Sequence, residues 1–269
     1  MPRKTWPTEK LFHRLLNNKS SRMHWENVSA LRSRGSKEVF DKCVELLQSS
    51  NAKERRLAVE ILSQLGLPPR PFIKETLKLF FETLKTETNA DVISSILYGL
   101  GHNNEHLTAK ETKFICSFKD SKNLEVKQGL VFALGGIEHK IAIETLIGFT
   151  SDKNNYIRNW STFGLGSQTT QDTPAIREAL WNRINDKHKE TRHEAILGLA
   201  IRKDERIKEI IKRELIAIDD HCSLLLEAIE ELNDKEFIEI LKEKIISNQQ
   251  EEKVNPEWLQ DTIDKLRRN

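Results

Sequence analysis

Apolar residues in this chain recur every three or four positions. Leu77, Phe80, Phe81 and Leu84 form one such series, and Ile207, Ile210, Ile211 and Leu215 form another. This period gathers apolar side chains onto one stripe of an α-helix. No stretch alternates with period two, so the pattern predicts helices throughout and essentially no strand.

A longer period lies above the helical one. Residues 92–101 (VISSILYGLG), 126–135 (VKQGLVFALG), 157–166 (IRNWSTFGLG) and 191–200 (TRHEAILGLA) align, their first residues 34, 31 and 34 apart. Weaker copies end at Gly35 and Gly66, and a degenerate copy covers residues 223–232. Each unit reads as two helices. The Leu-Gly ending is expected to stop the second helix, because glycine enters the left-handed C′ conformation without a Cβ clash. Thr108-x-x-Glu111, Asn51-x-x-Glu54 and Asn233-x-x-Glu236 have the form of capping boxes, and Thr173-Pro174 and Asn255-Pro256 place a cap before an N1 proline. Ala58, Gly129, Ser161, Gly164, Ala195 and Gly198 are small enough to let neighbouring helices approach closely.

A lone helix pair cannot bury its apolar stripe, whereas stacked pairs can. The expected fold is therefore all-α, a right-handed α-solenoid of about seven helix pairs. A single domain over residues 1–269 is expected, with an N-terminal cap over about 1–20, a short turn at 17–21 and a C-terminal capping helix over about 255–268.

Composition narrows the class. Of 269 residues, 38% are hydrophobic, enough for a sizeable core, while 11 Gly and 7 Pro exclude collagen-like and low-complexity chains. The 43 Lys+Arg nearly balance the 41 Asp+Glu. The balance is uneven along the chain: residues 1–90 hold 17 basic against 10 acidic side chains, and the remainder 26 against 31. Lys4, Arg14, Arg22, Arg32, Arg34, Lys37, Arg55 and Arg56 make up much of the basic half. Cys43, Cys116 and Cys222 are far apart, lie in apolar stretches and are expected to be buried thiols. The charged start shows no signal-peptide core, and no apolar run approaches the roughly 20 residues of a spanning helix. A cytoplasmic protein with no membrane contact is the expectation.

The iterated pattern Asp-(x)n-[Val/Ile/Thr]-Arg-x-x-small-x-x-small-Leu-Gly resembles the HEAT-repeat family. It is best matched by Asp152, Ile157-Arg158 and Leu165-Gly166, and by Asp186, Thr191-Arg192 and Leu199-Ala200. Residues 34–41, 157–166 and 192–204 are more narrowly similar to a group of bacterial HEAT-repeat proteins described as lyase-like, after repeats shared with bilin lyases. One enterobacterial relative is regarded as an immunity protein encoded beside an Rhs toxin. The resemblance implies a helical-repeat binding protein and, through that relative, a toxin domain as partner.

Candidate binding residues follow from register. In an α-solenoid the second helices line the concave groove. The third position after the Val/Ile/Thr anchor carries Ser95, Gly129, Trp160 and Glu194; the sixth carries Tyr98, Phe132, Phe163 and Leu197. The second carries Ser94, Gln128, Asn159 and His193. Trp160, Phe163, Tyr98 and Gln128 are expected to face a protein partner, with Arg158, Asn159, Arg192 and His193 as a polar rim. For Phe132 and Phe163, packing as core between repeats is the favoured reading over partner contact. Asp152, Asp186, Arg158 and Arg192 also fit a structural ladder along the turns between repeats.

Chemistry-bearing motifs are lacking. There is no Gly-x-Ser-x-Gly, no phosphate-binding glycine loop and no His-Glu-x-x-His. His102 and His106 share i,i+4 spacing but straddle a loop, and the histidines read as solvated. The acidic pairs Asp219-Asp220, Glu230-Glu231 and Glu251-Glu252 are adjacent in sequence and diverge on a helix. No catalytic residue, metal or cofactor is expected. The leading expectation is a non-enzymatic protein-binding module using its concave groove. A DNA-binding or repair protein using the basic N-terminal half, and a bilin-lyase-like protein, are the alternatives; nucleic-acid binding is expected to be weak.

Overall fold

The computed structural model describes residues 3–17, 20–219, 222–251 and 253–268. Asp220, Glu252 and residues 18 and 19 of the expected turn lie outside them, as do the side chains of Lys4 and Glu251. Sixteen α-helices and no strand are found among the described residues: α1 (Thr8–Asn17), α2 (Ser21–Arg32), α3 (Lys37–Leu47), α4 (Ala52–Leu62), α5 (Ile73–Leu84), α6 (Ala90–Gly101), α7 (Ala109–Cys116), α8 (Leu124–Leu134), α9 (Lys140–Phe149), α10 (Asn155–Gly166), α11 (Pro174–Trp181), α12 (Lys189–Ile201), α13 (Lys208–Ile216), α14 (Ser223–Leu232), α15 (Phe237–Glu251) and α16 (Pro256–Arg268). They form eight consecutive pairs rather than about seven, because α1 pairs with α2 and the expected C-terminal cap α16 pairs with α15.

Two compact units divide the chain, Met1–Leu134 and Gly135–Asn269. In the first, α2, α4, α6 and α8 pack in sequence, each against the next, and α1, α3, α5 and α7 each pack on their own partner. Val92, Ile96, Leu97, Leu100 and Leu130 are fully buried between them. In the second, α10, α12, α14 and α16 pack in the same serial way around Ile157, Leu165, Ile196, Leu199, Ile229 and Ile263. All three cysteines are buried, and burial pushes the Cys43 thiol far above its ordinary value.

The second helices start alike. Asn51, Asn89 and Asn154 cap α4, α6 and α10 with their side-chain oxygens, and His188 caps α12 through its ring nitrogen. Thr108 and Glu111 make the full reciprocal box, and Thr173 caps a helix with proline at N1. Two capping expectations need correction. Asn51 makes only half a box, accepting from Lys53 N–H at 3.0 Å. Asn233 is the left-handed C-cap of α14, with φ 53°, not an N-cap.

The glycine endings split into two kinds. Gly66 (φ +84°) takes the expected left-handed conformation, and so does Gly136 (φ +76°), one residue past the expected Gly135. Gly101 and Gly166 instead lie within their helices, and close packing requires them. A Cβ on Gly101 would overlap the Phe132 ring, and one on Gly166 would sit 3.2 Å from Gly198 Cα. Gly166 and Gly198 thus mark where α10 and α12 touch backbone to backbone.

Candidate protein-binding surface

Arginines at a fixed register tie three of the repeats to the one that follows. Arg55, Arg158 and Arg192 each stand four residues after an N-cap. Each guanidinium first closes its own turn: Arg55 Nη1 reaches the carbonyls of Ser49 and Ser50 (2.9 and 3.1 Å), Arg158 Nη1 those of Asp152 and Lys153 (3.0 and 3.1 Å), and Arg192 Nη1 those of Asp186 and Lys187 (2.8 and 3.4 Å). Each then forks onto a carboxylate of the following repeat. Arg55 holds Glu87 at 2.7 and 2.9 Å, Arg158 holds Asp186 at 2.8 and 2.9 Å, and Arg192 holds Glu214 at 3.4 and 3.3 Å. Asp152 and Asp186 also accept the N–H groups of Asn154 and His188, both at 2.9 Å. Although burial alone would raise it, the Asp186 carboxyl is lowered to about 2 by hydrogen bonds from Arg158 and the His188 N–H. Ile93 takes the ladder position in α6, so the ladder is interrupted there.

The expected polar rim is therefore largely scaffold. Arg158 and Arg192 are occupied along the turns. Asn159 links α10 to α12, receiving Thr191 Oγ1 at 3.3 Å and donating to Glu190 at 3.4 Å. His193 is corrected outright: it is 3% exposed, with Nε2 3.6 Å from Glu214. Burial lowers its pKa, Glu214 opposes this, and Lys189 and Arg192 add to it. The solvated reading of the histidines also fails for His24, which pairs with Glu60 at 2.7 Å, whereas His139 is exposed and His188 half-buried while each caps a helix.

The aromatic positions remain at the surface in part. Trp160 is half-buried between Tyr156 and Phe163, ring centroids 5.9 and 5.7 Å away. Phe163 is likewise half-buried. In the first unit Tyr98 lies against Phe132 at 5.4 Å, and His102 meets the same ring edge-on at 5.2 Å. Gln128 is half-buried on α8. Two counterparts of Trp160 at the third position are not surface sites. Gly129 is buried against the α6 backbone, where a Cβ would lie 2.8 Å from the Ser94 carbonyl. Glu194 is only 8% exposed, and burial, with Glu227 and Glu190 adding to it, pushes its carboxyl up to about 7.

Two features escaped the sequence reading. Arg202 is buried and donates to the carbonyls of Leu165, Gly166 and Gly198 at 2.7–2.8 Å, satisfying the ends of α10 and α12. Its signal was its place just past the repeat ending, as for Asn103, which donates to Ser63 and Gly99 carbonyls. The second is a cavity of about 520 Å³ in the first unit, lined by Leu15, Leu16, His24, Trp25, Arg56 and Glu60 among others. Nothing in the repeat pattern indicated it.

No helix among the described residues is long and apolar enough to cross a membrane. No protein-family model matches the chain. It is 32% identical to protein YibA of Escherichia coli K12, and equally to that of E. coli O157:H7, over 162 residues. The match covers 59% of this chain and 54% of each relative, so it spans about half the length of the curated relatives. The crystal structure of E. coli YibA superposes with a TM-score of 0.74 at 24% identity, covering 99% of this chain and 94% of that one. An engineered protein of known crystal structure matches at TM-score 0.53 and 15% identity, covering 98% of this chain and 81% of its own. The chain is an all-α, helical-repeat protein homologous in part to YibA.

Proposed function

We propose that this chain is a HEAT-type repeat protein that binds a protein partner on the exposed face of its second helices and performs no chemistry of its own. The observation that carries the reading is the half-exposed aromatic ridge Tyr156–Trp160–Phe163 on α10. It stands on a helix fixed from both ends, by the Asn154 cap and by Arg202 at its last carbonyls. A rigid aromatic on a fixed helix loses little entropy when covered, which is the physical profile of a binding hot spot. The resemblance to the Rhs-associated relative suggests a toxin domain as partner, neutralised by covering its working surface. Three buried cysteines, far apart in the sequence, suit a reducing, cytoplasmic setting.

The test is co-purification with the products of neighbouring genes, for parent and Trp160→Ala chains. Capture of one such product, weakened at least tenfold by Trp160→Ala with the melting temperature kept within a few degrees, is the expected result. Equal capture by both chains removes α10 as the working surface.

A further inference from the structure

The last turns of α2, α4 and α6 are stitched together in the first unit. Gly66 N–H donates to the Arg32 carbonyl at 2.7 Å, and Asn103 Nδ2 donates to the Ser63 and Gly99 carbonyls at 2.9 and 2.8 Å. At these joined ends stand three basic side chains from three successive repeats: Arg32, Arg70 and His102.

Arg32 and Arg70 differ from the ladder arginines in what they hold. Arg32 donates Nε and Nη2 to the Glu60 carbonyl (2.9 and 2.6 Å) and Nη1 to Gln64 Oε1 (2.6 Å). Arg70 donates Nη1 to Asn103 Oδ1 at 2.9 Å, and its buried Nε has no hydrogen-bond partner. Every acceptor is neutral. The Glu60 carboxylate is held by His24 Nε2 (2.7 Å) and Arg56 Nε (2.9 Å) instead. Arg55, Arg158 and Arg192, by contrast, each fork onto a carboxylate. Capping the helix ends accounts for Arg32, whose bonds go to α4. It does not account for Arg70 or for His102, which keeps solvent exposure beside the Phe132 ring. Burial first, then Arg32 and Arg70, hold the His102 imidazole below its ordinary value. An oxyanion among them would replace that repulsion with charge-assisted bonds.

We propose that Arg32, Arg70 and His102 form a cradle for a carboxylate presented by an acidic segment of a protein partner. This rests on the protein-binding reading above and names the chemistry of one contact within it. A protein segment fits better than a nucleic acid, because a phosphate track needs cations repeated along one line, whereas Glu60 stands here between Arg32 and Arg56. Trp25, 50% exposed and 5.9 Å from the Arg32 guanidinium, adds a flat apolar margin suited to a peptide.

The test uses the full chain, a labelled octaglutamate peptide, an octalysine control and a single-stranded oligonucleotide, by fluorescence anisotropy at moderate salt. Octaglutamate alone should bind, and Arg70→Gln and His102→Gln should each weaken it at least fivefold while the melting temperature holds. His102→Gln, at an exposed position, keeps the test valid where Arg70→Gln perturbs folding. Binding should strengthen as pH falls from about 8 to 6, because the anion favours the imidazolium facing Arg32 and Arg70, with Glu60 beyond Arg32. NMR titration of His102 should show its pKa rising when the peptide is bound. No peptide binding, equal binding by parent and variants, or an unmoved His102 titration would each overturn the cradle. Tighter binding of the oligonucleotide would overturn the choice of a protein ligand. None of these outcomes touches Trp160-dependent capture, so failure of the cradle is separable from failure of the protein-binding reading.

Discussion

Two buried carboxyls on the second unit respond to pH in opposite directions. Asp186, lowered to about 2, stays charged against Arg158. Its contribution is present above the unfolded carboxylate value near 4 and is lost as pH falls toward 2. Asp186→Asn should therefore cost roughly 2 kcal/mol at neutral pH and almost nothing near pH 2, as read by urea melts across that range. Glu194, raised to about 7, runs the other way. The folded state keeps a proton that the unfolded chain releases, so stability falls as pH rises from about 4.5 to 7. Glu194→Gln should raise the melting temperature by a few degrees at pH 8 and leave it unchanged at pH 5. A difference between parent and Glu194→Gln that is the same at both pH values would show that Glu194 is not held protonated in the fold. Neither behaviour could be read from residue type. Trp160 and Glu194 occupy the same register, yet one keeps an exposed edge while the other is sealed. Likewise Glu214, on α13, covers His193. Exposure on these helices is decided by residues some 20 to 35 positions away, which periodicity within one repeat does not contain.

At the level of elements, the helix pairs and their order were legible because every device that sets them is local. Leu-Gly endings, Asn caps and 3–4 spacing act within a dozen residues. What lay beyond reach was why Gly101 and Gly166 are glycine, since the reason is the neighbouring helix rather than the turn. The Gly166–Gly198 contact makes this measurable. A Cβ on Gly198 would lie 2.5 Å from Gly166 Cα and 3.0 Å from Leu180 Cδ1. Overpacking of this kind costs about 1–3 kcal/mol, against about 1 kcal/mol gained in helix propensity. Gly198→Ala should thus lower the melting temperature, whereas Gly148→Ala, with nothing within 4 Å, should raise or keep it. Ala195 is fully buried on the same helix. Ala195→Asp would bury an unpaired charge at several kcal/mol, a large part of a typical stability of about 5–15 kcal/mol. Thermal melts that leave Ala195→Asp at the parent value would show that α12 does not pack as described. Arg70, by contrast, sits in the segment between α4 and α5, outside the repeat register, and its convergence with Arg32 had no sequence signature.

For the whole chain, charge is the property that matters beyond single contacts. Residues 1–134 carry 22 Lys+Arg against 15 Asp+Glu, while the rest is net acidic. Non-specific DNA binding by the basic part should be weak and fall steeply with salt. A gel shift at roughly physiological ionic strength should show little complex; tight binding that survives there would favour the nucleic-acid alternative. The serial ties between repeats have another consequence, for how the chain is made. Among the described side-chain hydrogen bonds, the longest reach in sequence is that of Asn103 to Ser63, 40 residues. At about 5–20 residues per second of synthesis, such a partner emerges within about 2 to 8 seconds. Within each unit, a new helix pair thus finds the preceding pair already in place behind it. Each unit can therefore seal its own core stepwise on the ribosome, with the core residues that still await a partner confined to its growing end.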